Sequence, residues 1–91
     1  MTRQEIEDVV RKALYDVAPD IVGLDINPDE TFREQFEIDS MDFLNFTIGL
    51  TKATGLQIPE ADSERLATLK GAIDYLRAKL STSRAIREHR S

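Results

Sequence analysis

The sequence predicts an all-α fold: a small bundle of three main helices plus one short helix, with a long loop between helices one and two. Three observations predict it. Apolar residues recur at helical spacing in three separate segments, and cap-forming residues precede these segments. No segment shows the alternation of apolar and polar residues that a competing strand requires. A chain of 91 residues, 41% of them hydrophobic, is long enough for one small core and too short for two.

The first helix is predicted over residues 3–17. Thr2 and Glu5 match a capping box, in which each residue's side chain bonds the backbone N–H of the other. Pro19 ends the helix soon after, because proline cannot continue the helical hydrogen bonds. The apolar residues at helical spacing are Ile6, Val9, Val10, Ala13, Leu14 and Val17.

Residues 20–38 are predicted to form the long loop, with room for a helical turn. The segment contains Gly23, Asn27, Pro28 and several acids, without sustained periodicity. Its apolar residues are too many for a free linker, so we expect the loop to pack over the core. Loops of this length are uncommon in compact domains and are often functional. The apolar residues are Ile21, Val22, Leu24, Ile26, Phe32, Phe36 and Ile38.

The second helix is predicted over residues 40–54, with Asp39 as its N-cap and Gly55 in the left-handed position after its end. It carries two apolar stripes on nearly opposite sides, so one can face the core and the other needs a second explanation. The first stripe, with Ser40 beside it, is Met41, Leu44 and Ile48, and the second is Phe43, Phe46 and Leu50.

A short helix and a longer final helix complete the prediction. Asp62 or Ser63 is expected to cap the short helix, which runs through Leu66, and Thr68 is expected to cap the final helix. The predicted buried face of the final helix is Leu69, Ala72, Ile73, Leu76 and Leu80, with Lys70, Asp74, Arg77 and Lys79 outside. The domain is expected to span residues 1–80, and residues 81–91, with Arg84, Arg87 and Arg90, to form a basic flexible tail.

Composition limits the functions that the chain can have. A net charge of −5 argues against nucleic acid as a partner and favours basic protein surfaces. No apolar stretch is long enough to span a membrane, and the N-terminus lacks the order of a signal peptide, so we expect a cytoplasmic protein. The absence of cysteine excludes disulfides and thiolate chemistry by the chain itself.

The chain offers little from which to build an active site of its own. Its one histidine, His89, lies near the C-terminus, so a nucleophilic Ser40 has no evident base, and a zinc site lacks ligands. The stretch from Asp25 begins like a calcium loop, but Glu30 and Phe36 occupy the positions where glycine and glutamate are needed. We therefore expect no catalytic residues and no metal site, and a protein on which other proteins act.

Three segments in a fixed order give the chain a recognisable pattern: residues 36–44 (FEIDSMDFL), residues 55–59 (GLQIP) and residues 68–76 (TLKGAIDYL). This pattern resembles the acyl carrier protein family, the phosphopantetheine carrier domains. The family's motif is Asp-Ser-Leu, usually with a glycine two residues before the aspartate. Here the motif reads Asp39-Ser40-Met41, and Glu37 occupies the place of the glycine.

The resemblance implies that a phosphopantetheinyl transferase attaches 4′-phosphopantetheine, taken from coenzyme A, to Ser40. The thiol of that group then holds an acyl group as a thioester. Asp39 is expected to cap the second helix and to contribute to recognition by the transferase. Carrier domains are recognised largely along this helix, so the resemblance implies that the first stripe is a docking surface and that the second faces the bundle. The alternative is that both stripes are buried under helix one and the long loop. The expected partner surface is Met41, Leu44, Ile48 and Asp42.

The second helix departs from the carriers of fatty-acid synthesis, because Asn45, Thr51 and Lys52 stand where those usually have carboxylates. We therefore expect docking to depend more on apolar contact than on charge. The expected further partners are an acyl ligase, ketosynthase or acyltransferase of a fatty-acid, polyketide or specialised lipid pathway, acting on a monomeric carrier. Two alternatives stay open: an aminoacyl or peptidyl carrier, and an unmodified helical interaction module in which Ser40 only starts a helix.

Overall fold

A computed structural model describes the backbone of residues 2–90 and the side chains of residues 2–81. All regular structure in this part of the chain is helical, which confirms the predicted fold class. The four α-helices are α1 (Arg3–Val17), α2 (Phe32–Phe36), α3 (Ser40–Thr54) and α4 (Leu69–Arg90), and two 3₁₀ segments cover Pro19–Ile21 and Glu60–Leu66.

Helices α1 and α3 have the predicted bounds, because their caps form as the sequence indicates. The hydroxyl of Thr2 accepts from the backbone N–H of Glu5 at 3.1 Å, and the Glu5 carboxylate accepts from the backbone N–H of Thr2 at 2.9 Å. These hydrogen bonds lower the pKa of Glu5. At the end of α3, Gly55 has a φ of 74°, the left-handed conformation that its position predicted.

The long loop contains more structure than one helical turn. Helix α2 has five residues and the first 3₁₀ segment has three, too few for a periodic pattern to show. Two backbone hydrogen bonds join the loop to the region where α4 begins: Phe32 donates to the carbonyl of Ala67 at 2.9 Å, and Lys70 donates to that of Pro28 at 3.1 Å. The loop is thereby fixed over the bundle.

The apolar residues of the loop divide into two groups. Val22 and Leu24 are 60% and 55% exposed, so the expectation that the loop packs over the core does not extend to them. Gly23 between them has a φ of 91°, which marks a turn at this point. The buried residues of the loop are Ile21, Ile26, Phe32 and Ile38, and Phe36 is half-buried.

The predicted cap of the short helix is wrong. The helix is the 3₁₀ segment Glu60–Leu66, and it follows Pro59 without a side-chain cap hydrogen bond. Neither Asp62 nor Ser63 can cap it, because both lie inside it. The prediction for α4 is confirmed: the hydroxyl of Thr68 accepts from the backbone N–H of Gly71 at 2.9 Å.

The backbone of α4 is helical past Leu80, as far as Arg90. The side chains of residues 82–90, including the three arginines of the predicted tail and His89, lie outside the described residues. The division of the chain into a domain of residues 1–80 and a flexible tail stays a prediction.

The core lies where α1 contacts α3 and α4. The Phe32 and Phe46 rings meet edge to face, with centroids 5.4 Å apart, and join the loop to α3. Within residues 2–81 the buried set contains no charged side chain, so packing is the main source of stability. The buried residues of the main helices are Ile6, Val10, Ala13 and Leu14 of α1, Phe46 and Leu50 of α3, and Leu69, Ala72, Ile73, Tyr75 and Leu76 of α4.

None of the helices in the described residues is long and apolar enough to cross a lipid bilayer.

Candidate functional site

Helix α3 presents one of its two apolar stripes to solvent. Met41, Leu44 and Ile48 are 63%, 51% and 42% exposed. Phe46 and Leu50 on the other side are 1% and 0% exposed. Phe43 is half-buried, with its ring 5.9 Å from that of Phe46. The predicted orientation of the helix is confirmed, while the use of the exposed stripe as a partner surface stays a prediction.

Ser40 is the first residue of α3, and its side chain is exposed. The cap of the helix is made by its neighbour: Asp39 has an extended backbone, and its carboxylate accepts from the backbone N–H of Asp42 at 2.8 Å. Among the described residues, no group makes a hydrogen bond with the Ser40 hydroxyl. The simplest structural explanation for this serine, that it caps the helix, is therefore excluded.

The backbone turns sharply three residues before the serine. Glu37 closes α2 with φ 55° and ψ 35°, and it donates its backbone N–H to the carbonyl of Arg33 at 3.1 Å. It is the one residue other than glycine with a positive φ in the described part of the chain. Glycine adopts this conformation without strain. The geometry fits the glycine that the family motif usually has at the position of Glu37.

An open groove of about 780 Å³ runs from Ser40 along α3. Its volume lies within the range of small-molecule sites in proteins. We refer to it as the α3 groove. One side is formed by α3 and the other by the segment that leads into the second 3₁₀ helix. Its lining residues are Ser40, Phe43, Leu44, Thr47, Ile48, Thr51 and Lys52 on α3, and Ile58, Pro59, Glu60 and Ser63 opposite.

The sequence did not reveal this groove, because its two sides come from segments separated along the chain. Leu44 and Ile48, which were predicted only as partner contacts, also line it. Met41 and Asp42 do not belong to its lining. The repeat of small polar residues on one face of α3, at Thr47 and Thr51, was the one available signal.

A buried tyrosine holds the second side of the groove in place. The hydroxyl of Tyr75 donates to the carboxylate of Asp62 at 2.7 Å, which joins α4 to the 3₁₀ helix Glu60–Leu66. The cationic groups of Arg65 and Lys79 lie 5.3 and 5.6 Å from the centre of the tyrosine ring. Burial, and then the hydrogen bond to the Asp62 carboxylate, raise the pKa of Tyr75 to about 12.

The site combines an exposed hydroxyl, the start of a helix and an adjacent groove. Residues 2–81 hold no group of three or more side chains suited to bind a metal ion. The first turn of α3 offers backbone N–H groups and a partial positive charge, which suit a phosphodiester on the serine. The groove gives a linear substituent on Ser40 a surface on which to lie. The arrangement fits the attachment of a phosphate-linked group.

Comparisons with known proteins agree with this geometry. The family model for the phosphopantetheine attachment site matches residues 5–76. An acyl carrier protein of Rubrobacter xylanophilus is 32% identical over 73 residues, which are 77% of this chain and 89% of the relative. Acyl carrier proteins of Chlorobium phaeovibrioides and Chlorobium luteolum are each 33% identical over 79 residues, which are 84% of this chain and 96% of each relative.

The match to the family model extends from α1 into α4 and includes the exposed serine, its capping aspartate and the turn at Glu37. The comparisons confirm the resemblance on which the function and the cofactor were predicted. The chain belongs to the acyl carrier protein family, and it carries acyl groups by means of 4′-phosphopantetheine.

Proposed function

We propose that Ser40 is the attachment residue for 4′-phosphopantetheine. The observation that supports this assignment is the division of tasks at the start of α3: Asp39 caps the helix, so the exposed Ser40 hydroxyl is available for chemistry. In the attachment reaction the serine oxygen forms a bond to phosphorus of coenzyme A, and adenosine 3′,5′-bisphosphate leaves. The hydroxyl proton passes to a base of the transferase, because this site has no histidine.

The bound group supplies a thiol that holds an acyl group as a thioester. The chain's own residues provide the anchor and its surroundings. The exposed N–H groups in the first turn of α3 stabilise the negative charge of a phosphodiester on Ser40. Asp39 positions this turn through its bond to the backbone of Asp42, and its carboxylate is also available to a transferase.

We assign the partner surface to the exposed stripe Met41, Leu44 and Ile48, together with Asp42 near Ser40. Asp42 and Lys52 are the only charged residues of α3, so the helix has no net charge. A partner that docks here gains mainly from burying apolar area. The partners that suit this surface are the phosphopantetheinyl transferase and an acyl ligase, ketosynthase or acyltransferase.

The protein in this proposal is a monomeric, non-catalytic carrier of the cytoplasm that binds no nucleic acid and has no membrane span. The negative net charge argues against nucleic acid as a partner, and the lack of a base beside Ser40 supports a non-catalytic role. The pathway is a fatty-acid, polyketide or specialised lipid pathway. An aminoacyl or peptidyl carrier is the second candidate, because α3 lacks the acids of the carriers for primary lipid synthesis. The adenylating enzyme that loads the modified protein distinguishes the two.

Intact-protein mass spectrometry tests the attachment site. After incubation with coenzyme A and a promiscuous phosphopantetheinyl transferase, the protein is expected to gain the mass of one phosphopantetheine. Ser40→Ala is expected to abolish the gain. Ser63→Ala is the matched control, because Ser63 lines the same groove without lying at the start of α3. An adduct that survives Ser40→Ala, or the absence of any adduct on the unaltered chain, would contradict the proposal.

A further inference from the structure

The α3 groove places polar groups within a lining that is otherwise apolar. On α3, Phe43 and Leu44 lie next to Ser40, and farther from the serine Ile48 lies among the polar residues Thr47, Thr51 and Lys52. The opposite side has two apolar residues, Ile58 and Pro59, and two polar ones, Glu60 and Ser63. An occupant that extends beyond Leu44 therefore meets both apolar and polar groups.

The hydroxyl groups in the groove determine which occupants it favours. Thr47 donates to the backbone carbonyl of Leu44 at 2.7 Å. Thr51 and Ser63 are half-buried, and their hydroxyl groups make no hydrogen bond with other described residues. An alkyl chain laid over them would remove their water without replacing its hydrogen bonds, which costs free energy. An occupant with donors and acceptors of its own avoids this cost.

Lys52 gives the far part of the groove a positive charge. Its side chain is exposed, and no carboxylate of the described residues lies within ion-pair distance of its ammonium group. Its position in the last turn of α3 is favourable for a cation in any helix. What makes it informative is its place in the lining of a groove that begins at Ser40. Glu60 on the opposite side repels an anion. An anionic group in the groove is therefore expected on the α3 side, near Lys52.

The length of α3 indicates which part of an occupant meets Lys52. From Ser40 to Lys52 the helix rises by about 18 Å, at about 1.5 Å per residue. The chain of phosphopantetheine from the serine oxygen to sulfur has a reach of roughly 16 Å, taking about 3.5 Å for every three backbone bonds. Laid along the groove, its two amide groups pass the threonines, and its acyl end comes near Lys52.

We propose that the α3 groove is selective for a short acyl group whose distal end is a carboxylate, and that Lys52 is the residue that determines this selectivity. The proposal rests on the proposed attachment at Ser40. The hydroxyl groups of Thr47, Thr51 and Ser63 bond the amide groups of the arm, and the ammonium group of Lys52 pairs with the distal carboxylate. The cargo is accordingly a short dicarboxylic acid joined through one of its ends.

The test uses three stable analogues attached to Ser40, in which an amide replaces the labile thioester. They carry succinyl, butyryl or 4-aminobutyryl, which have the same chain length and end in an anion, a methyl group and a cation. Backbone amide shifts in ¹H–¹⁵N NMR spectra report the population of the arm in the groove. We expect the arm of the succinyl form to occupy the groove about two- to fivefold more than the arm of the butyryl form, because one exposed ion pair contributes about that much.

Lys52→Gln is expected to reduce the groove occupancy of the succinyl arm to that of the butyryl arm, and high salt is expected to do the same. Lys70→Gln is the matched control, because Lys70 is an exposed lysine of α4 outside the groove. The inference, but not the proposed function, would be overturned by either of two results. One is that the butyryl or 4-aminobutyryl arm occupies the groove as much as the succinyl arm or more. The other is that the preference for the succinyl arm survives Lys52→Gln. A failure to attach any analogue to Ser40 would instead refute the proposed function.

Discussion

At the scale of single residues, the two neighbours Asp39 and Ser40 divide tasks that one residue often combines. Serine and aspartate are both good N-caps, so the sequence alone allows Ser40 to be purely structural. In the structure Asp39 makes the capping hydrogen bond, and Ser40 is exposed. This division makes it possible to test the structural and the functional contribution of Asp39 separately.

Asp39→Asn and Asp39→Ala form the pair of variants for this test. Asparagine is as good a cap as aspartate, so Asp39→Asn should keep the thermal stability of the parent, while Asp39→Ala should lose about 1 kcal/mol. If a transferase binds the Asp39 carboxylate, both variants should be modified more slowly at Ser40. Thermal unfolding and the rate of adduct formation by mass spectrometry are the measurements. A loss of stability in Asp39→Asn as large as in Asp39→Ala would argue against the capping assignment.

Glu37 occupies a left-handed conformation that costs a residue with a side chain about 1 kcal/mol. Glu37→Gly should therefore stabilise the domain by up to about 1 kcal/mol, reduced by the greater entropy of glycine in the unfolded chain. Glu34→Gly is the control, because Glu34 lies within α2, where glycine should destabilise. Chemical denaturation measures both. The expectation fails if Glu37→Gly lowers the stability as Glu34→Gly does.

At the scale of elements, α3 has one face buried in the core and one exposed face, which we propose as the partner surface. Leu44→Glu should leave the helical content unchanged in circular dichroism and should slow modification or loading, because Leu44 is exposed and lies one turn from Ser40. Phe46→Ala should cost about 3 to 5 kcal/mol, the usual loss for a buried phenylalanine. Unfolding by Leu44→Glu would show that this face belongs to the core.

The 3₁₀ helix Glu60–Leu66 depends on its contact with α4. It has seven residues, which is long for this type of helix, and Leu66 is its one buried residue. The Tyr75–Asp62 hydrogen bond adds a polar contact to the packing of Leu66 on this side of the groove. Its removal should affect both the stability and the shape of the groove.

Tyr75→Phe should lower the stability by about 1.5 kcal/mol, the contribution of a hydrogen bond to a charged acceptor. It should also change the response to alkaline pH. Because the pKa of Tyr75 is raised to about 12 in the folded state, the parent should lose stability as the pH rises from the unfolded tyrosine value near 10 towards 12. Tyr75→Phe should lack this part of the loss. Denaturation curves at several pH values between about 10 and 12 measure the free energy of unfolding of both proteins. The same loss of stability with pH in the parent and in Tyr75→Phe would contradict this prediction.

The sequence predicted those elements whose signals are local. The capping box at Thr2, the cap at Asp39 and the glycine at position 55 lie within a few residues of the helix ends they define, and α1 and α3 have the predicted bounds. The start of the 3₁₀ helix could not be predicted this way. Asp62 has the properties of a cap, but its partner Tyr75 is 13 residues away.

The candidate site shows the same limit. The serine and its exposed stripe lie on one helix, so helical periodicity could place them. The groove needs the packing of two segments, and only their contact brings Ser63 and Glu60 opposite the threonines of α3. The left-handed turn at Glu37 was also missed, since glutamate gives no sign of it.

At the scale of the whole molecule, a small packed bundle holds the exposed Ser40 hydroxyl next to a groove and to an apolar stripe on a helix without net charge. The chain has no cysteine, so the thiol that carries the acyl group must come from the attached cofactor. In the proposed function the bundle contributes an anchor at Ser40, a place for the arm and a docking surface on α3. The anchor and the place for the arm have a role only if Ser40 is modified.

The most direct test is peptide mapping by tandem mass spectrometry of the protein purified from its own cells. We expect phosphopantetheine on the peptide that contains Ser40, with the modification on that serine and on no other residue. A serine that is always unmodified, in cells that contain an active phosphopantetheinyl transferase, would contradict it.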